Sequence, residues 1–162
     1  MIDPSILLIR ELSRPEDLPA VVEIWLDASI LAHDFMPPAF WEGKVADMRD
    51  IYLPAATVYL AIIDQRIAGF YALQDNTLAA IFVAPDLQGK GIGKRLLDHA
   101  IAHTTARNKM LSREVPLTLA VYQSNLRSIA FYQNAGFTKI KEQLDPHTQH
   151  TELVMEYTPR EF

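Results

Sequence analysis

Three of the chain's six glycines fall within five residues, in Gln88-Gly-Lys-Gly-Ile-Gly-Lys94. Upstream, Leu78 to Val83 is an apolar run closed by Pro85. Downstream, Ile92, Leu96, Leu97, Ala100 and Ile101 recur at helical spacing, predicting a helix from Gly91 to Lys109. A strand that passes through a glycine turn straight into a helix belongs to a mixed α/β chain. The turn also carries a chemistry. Unpaired N–H groups and the positive dipole end at a helix N-terminus bind phosphate. Glycines let a ligand approach the backbone closely, and Lys90, Lys94 and Arg95 add positive charge.

The rest of the chain follows the same alternation. Ile6–Ile9 reads as a first strand. A helix follows, with Ser13 and Glu16 at capping-box spacing and Leu18, Val21, Val22, Trp25, Ala28 and Ala32 on one face. Pro37-Pro38 stops it, and a second helix is predicted from about Ala39, ending before Pro54. Thr57–Ile63 and Ile67–Leu73, joined by a tight turn at Asp64-Gln-Arg66, form a hairpin. Leu117–Val121 is a buried strand, and Leu126–Ala135 a helix ended by Gly136. Thr138–Gln143 and Glu152–Tyr157 close the order β α α β β β α β α β β. At 162 residues this predicts one domain over residues 1–162.

Composition narrows the function. Fifteen basic against twenty acidic side chains give a net charge of −5, which disfavours non-specific binding to nucleic acid or an acidic membrane. The chain has no cysteine, so a thiol nucleophile and thiolate metal ligands are excluded. No apolar run reaches membrane-spanning length. Met1-Ile-Asp-Pro-Ser5 lacks the character of a signal peptide, so the cytoplasm is the expected location.

The glycine turn fits neither common nucleotide motif. A dinucleotide G-x-G-x-x-G would need a third glycine where Lys94 or Leu96 stands, and a P-loop would need Ser or Thr at Arg95. The pattern it matches is Q-x-x-G-x-G, from Gln88 to Gly93. This resembles the pyrophosphate signature of the GNAT superfamily of acyl-CoA-dependent N-acetyltransferases. Leu119-Ala-Val-Tyr-Gln-Ser-Asn125 and Ile129-Ala-Phe-Tyr-Gln-Asn-Ala-Gly-Phe137 resemble the family's fifth strand and last helix. Ile24-Trp-Leu-Asp-Ala-Ser29 with His33-Asp-Phe35 is similar to small bacterial members of the YiaC/YjaB type. The resemblance implies a GNAT fold: a mixed sheet of about seven strands, four main helices and a splay between strands four and five.

It also implies a site. Gln88, Gly89, Lys90, Gly91, Ile92, Gly93 and Lys94 would hold the pyrophosphate of acetyl-CoA. Phe82 and Val83 would offer main-chain groups to the pantetheine arm, one N–H polarising the acetyl carbonyl. Asn125 would contact the cofactor arm, although Asn before a helix is also a natural cap. Tyr132 would protonate the departing thiolate, a phenol of pKa about 10 donating to a thiolate whose conjugate acid is about 8.5. Some relatives carry a base on strand four where this chain has Ala79. Removing a proton from an alkylamine at pH 7 costs about 4.6 kcal/mol. His33, directly or through water, and Asp34 are the candidates for that step, with an ordinary imidazole pKa near 6.5.

Other residues carry less. His99 and His103 stand four apart but without the glutamate of a zinc helix, so a solvated helix face is expected there. His147 and His150 complete no metal set, and Ser29, Ser112 and Ser128 lack a nucleophile elbow. The expected function is direct acetyl transfer from acetyl-CoA to a primary amine, of a protein lysine or a small molecule, without a metal. Two alternatives are a CoA-binding module with reduced catalysis, which a turnover assay separates, and an aminoacyl-tRNA acetylating toxin, which salt-dependent tRNA retention would reveal.

Overall fold

The computed structural model describes residues 6–159; the opening segment discussed above, Met1–Ser5, lies outside the described residues. Seven strands form one sheet in the order β1-β2-β3-β4-β5-β7-β6. They are β1 Leu8–Glu11, β2 Thr57–Ile63, β3 Arg66–Gln74, β4 Thr77–Val83, β5 Thr118–Tyr122, β6 Phe137–Leu144 and β7 Thr151–Tyr157. Neighbours pair antiparallel except β4 and β5, which run parallel.

Side chains alternate across the sheet, so each strand faces two helical layers. Tyr71 of β3 reaches His99 on the long helix α5, Ile92–Met110. Its neighbour Ala72 points the other way, toward α1, Leu18–Ala32. Phe70, Tyr71, Leu60, Leu96, Leu97, Phe137 and Met155 are sealed between these layers. Helix α6, Leu126–Ala135, ends at Gly136, whose φ of 108° is the left-handed cap glycine takes most readily. Among the described residues no helix is long and apolar enough to cross a membrane.

Two helical expectations need correction. Ser13 caps nothing: a short 3-10 turn, Pro15–Asp17, precedes α1 with Arg14 at its N-cap. Asp17 there receives two hydrogen bonds from the Arg10 guanidinium, at 2.9 and 3.0 Å, which tie β1 to the start of α1. The single helix expected between Ala39 and Pro54 is a broken series. It comprises α2 Pro38–Glu42, α3 Val45–Asp47, a π-helical turn Met48–Tyr52 and α4 Leu53–Ala55. Pro54 cannot donate to the carbonyl four residues back and its ring crowds that turn, so the wider π turn relieves the conflict.

Two irregularities in β4 open the sheet. Ala72 pairs with Ala80 but Leu73 pairs with Leu78, so Ala79 is the extra residue of a β-bulge. On its other edge β4 pairs with β5 only at Thr77↔Thr118 and Leu78↔Leu119. Beyond Leu78 the two strands diverge, leaving the rest of that edge without a strand partner.

Candidate active site

The glycine turn lies at the C-terminal end of β4. Gly89 and Gly91 have φ of 79° and 82°, and a Cβ built on either would meet nothing within 4 Å. These positive φ values suit glycine. Gly91 is the N-cap of α5 and offers no capping side chain. The first-turn N–H groups therefore have no partner from the cap residue's side chain, which suits an anion. Gln88 closes the turn from the other side: its Nε2 donates to the Val83 carbonyl at 3.2 Å. Lys94 is exposed and pairs with Asp98 at 3.2 Å.

Across the divergent strands lies a pocket of about 210 Å³. Trp25, Ser29 and His33 form one wall, a stripe at four-residue spacing on α1. Trp41 of α2, Phe82 of β4 and Tyr122 of β5 form others, and Ala72, Ala79 and Ala80 leave room at the floor. Among the described residues no Asp, Glu, Lys or Arg lines it. The rings are in mutual contact: His33 lies 5.0 Å from Trp41 and 5.1 Å from Tyr122 by ring centroids. Phe35 bridges Tyr122 and His150, at 4.9 and 4.5 Å, joining the loop after α1 to the β6–β7 loop. The Tyr122 hydroxyl donates to Asp145 at 2.5 Å, and Asp145 also accepts from the His147 N–H and the Thr148 hydroxyl.

His33 is the C-cap residue of α1, its N–H bonded to the Ser29 carbonyl at 2.9 Å. Burial pushes its imidazole down to about 4, well below the ordinary value near 6.5 expected for it. It is therefore neutral throughout the working pH range and a weak base. Burial raises the Tyr132 phenol above the ordinary value near 10, so that hydroxyl stays protonated and is a weaker acid than the sequence alone implies. Tyr132 sits on α6 between Phe131 and Phe137, at 5.4 and 5.9 Å. Asn125 is the N-cap of that helix: its Oδ1 accepts from the Ser128 N–H at 3.2 Å.

Comparison with known proteins decides the family. The acetyltransferase (GNAT) domain matches residues 54–139. The chain is 36% identical over 131 residues to the peptidyl-lysine N-acetyltransferase YiaC of Escherichia coli, covering 80% of this chain and 82% of that protein. This chain belongs to the GNAT acetyltransferase family. It is also 30% identical to the peptidyl-lysine N-acetyltransferase YjaB of E. coli over 77% of this chain and 78% of YjaB. The solution structure of apo-form YjaB superposes with a TM-score of 0.78 over 96% of this chain and 99% of that one. The PaiA N-acetyltransferase of Thermoplasma acidophilum, solved with coenzyme A, shares the fold at 20% identity, with a TM-score of 0.76 over 94% of this chain and 99% of that one.

As a GNAT acetyltransferase, the protein draws on acetyl-CoA and passes an acetyl group to an amine. Of the residues named from sequence, Phe82, Val83 and the turn Gln88–Lys94 follow one another along β4 into α5, and a Cβ built on Gly93 would lie 3.6 Å from Phe131 on α6, the neighbour of Tyr132. His33 lies on the pocket wall, while Asp34 is exposed beside it. His99 is not on a solvated face: it is half-buried, shares a 2.6 Å hydrogen bond with the Tyr71 hydroxyl, and stands 4.8 Å from the Tyr59 ring. Trp25, Ser29, Trp41 and Tyr122 went unread as site residues. A serine on an otherwise apolar helix face, four residues before His33, was the available signal.

Proposed function

We propose that this GNAT acetyltransferase moves acetyl from acetyl-CoA directly to a primary amine, a protein lysine first and a small-molecule amine second. The observation that carries the reading is the series along β4: an open edge next to the pocket, then a glycine turn with a bare helix N-terminus. The pyrophosphate would sit on Gln88–Lys94, the pantetheine arm along Phe82 and Val83 in the splay, and the acceptor amine in the pocket beyond. The lysine preference draws on YiaC and YjaB, whose names state that activity.

The amine nitrogen attacks the acetyl carbonyl carbon, and a C–N bond forms as the C–S bond breaks. A main-chain N–H at Phe82–Val83 stabilises the developing oxyanion. The thiolate takes the Tyr132 proton, and solvent restores it. His33 is assigned a role other than proton acceptor. An imidazole held down to about 4 by burial is a poor acceptor for a proton from an ammonium of about 10.4. His33 serves as a neutral hydrogen-bonding group of the pocket, and water carries the proton away. The test is CoA release with acetyl-CoA and a lysine-containing peptide, with acetylated peptide read by mass spectrometry. Equal amounts of both products are expected, and Tyr132→Phe should lower kcat about tenfold to a hundredfold at unchanged acetyl-CoA affinity. CoA release without acetylated peptide contradicts the transfer, and a wild-type kcat in Tyr132→Phe removes the tyrosine from the mechanism.

A further inference from the structure

Among the described residues, four buried side-chain polar atoms have no hydrogen-bond partner within the protein. Three belong to the wall of the one pocket described above: Ser29 Oγ, His33 Nδ1 and Trp41 Nε1. Ser29 is 1% exposed and Trp41 7%, so bulk solvent does not serve them. Native interiors leave few such groups unmet, because each is destabilising. Ser29 and His33 are one turn apart on the same helix face. The Trp41 ring lies against His33, so the three polar groups are neighbours.

Their chemistry specifies an occupant. An indole N–H only donates, and a serine hydroxyl donates or accepts. Burial keeps the His33 imidazole neutral. The wall holds no carboxylate to receive a cation and no Lys or Arg to receive an anion. The occupant must therefore offer an accepting oxygen and bring no second charge. An amide carbonyl or a hydroxyl meets both conditions, and a second ammonium meets neither.

We propose that Ser29 and Trp41, beside His33, set acceptor specificity by binding a neutral carbonyl or hydroxyl oxygen on the same molecule as the reacting amine. This rests on the acetyl-transfer reading above and narrows it. The acceptor class is an amine on an apolar stem that also bears such an oxygen, as a lysine within an amide backbone does. Polyamines and plain alkylamines fall outside the class.

Initial rates of CoA release with Nα-acetyl-lysine methylamide, n-pentylamine and spermidine test this. The wild type should show kcat/KM about tenfold or more higher for the lysine amide than for n-pentylamine, because the alkylamine leaves the buried donor unpaired. Spermidine should be poorest. Trp41→Phe keeps a ring and removes the N–H, so its loss should be larger for the lysine amide and the ratio should fall to about threefold or less. Ser29→Ala should shift the ratio the same way. An unchanged acetyl-CoA dissociation constant reports an intact fold in either variant. Wild-type kcat/KM values alike for all three amines overturn the specificity proposal and leave acetyl transfer standing, as does a Trp41→Phe variant that keeps the wild-type ratio. Absence of CoA release with any amine overturns both.

Discussion

At the scale of single residues, His33 shows how far a neighbourhood moves a side chain from its ordinary chemistry. The position was legible from its place after the first helix. Its pKa was not, because Trp41 and Tyr122 come from two other segments to enclose it together with Phe35 of its own loop. The depressed value has a consequence for stability. The folded state binds a proton at His33 less readily than the unfolded chain, so this contribution is fully present above about pH 6.5. It declines as the pH falls, until the folded state also protonates near 4. At pH 5 the wild type should have lost about 2 kcal/mol relative to pH 7 through this group alone. Urea unfolding of wild type and His33→Gln at both pH values isolates the effect, since other groups titrate alike in each protein. The stability difference should shift by about that amount in favour of the variant at pH 5. A difference independent of pH would mean that the imidazole is freely solvated. The roles given to Tyr132 and Asn125 rest on a resemblance between motifs; in the structure burial holds the Tyr132 hydroxyl protonated, and Asn125 caps its own helix, as an Asn at that position can.

Among the elements, strands and long helices were legible because each carries one period. The hairpin of β2 and β3 could be read from two β-branched runs around Asp64-Gln65, yet its turn type could not. Both residues adopt positive φ, 49° and 65°, and Ile63 pairs directly with Arg66, which makes a two-residue turn of the primed kind. Neither residue is glycine, so the strain is local and removable. Gln65→Gly should stabilise the protein by about 0.5–1 kcal/mol, less what glycine loses in unfolded-state entropy. A higher urea midpoint at unchanged slope is expected, and a lower one would contradict the turn geometry. The segment from Ala39 to Ala55 defeated a periodic reading for a physical reason. Prolines at 38 and 54 compress it from both ends, and the chain answers with short turns and a π turn whose Met48 and Tyr52 line the pocket. Capping at Ser13 failed because Pro15 starts a 3-10 turn one residue later, and the Arg10–Asp17 pair organises the entry instead.

Over the whole molecule, the parting of β4 and β5 opens the sheet beside the pocket. The element order, with α5 between β4 and β5, was legible in the sequence, while the strand order and the parallel pair are seen in the fold. The splay between the two strands was expected from the family resemblance, and the fold shows it as a pairing of only two residue pairs. The pocket became visible only in the fold, because its walls come from α1, α2, the π turn and three strands. The glycine turn lies in the fold where the sequence puts it, between β4 and α5. The central claim is that acetyl-CoA is anchored there, and thermal unfolding with and without acetyl-CoA tests it most directly. At a ligand concentration of about 100 Kd, binding stabilises the native state by about 2.7 kcal/mol, which raises Tm by about 5–10 °C for a domain of this size. In Gly91→Val, a β-branched side chain enters the open space before α5 at a backbone φ of 82° that it tolerates poorly. The account predicts a clear rise in Tm for the wild type and almost none for the variant, measured against each protein's own ligand-free Tm. An equal rise in both would contradict it.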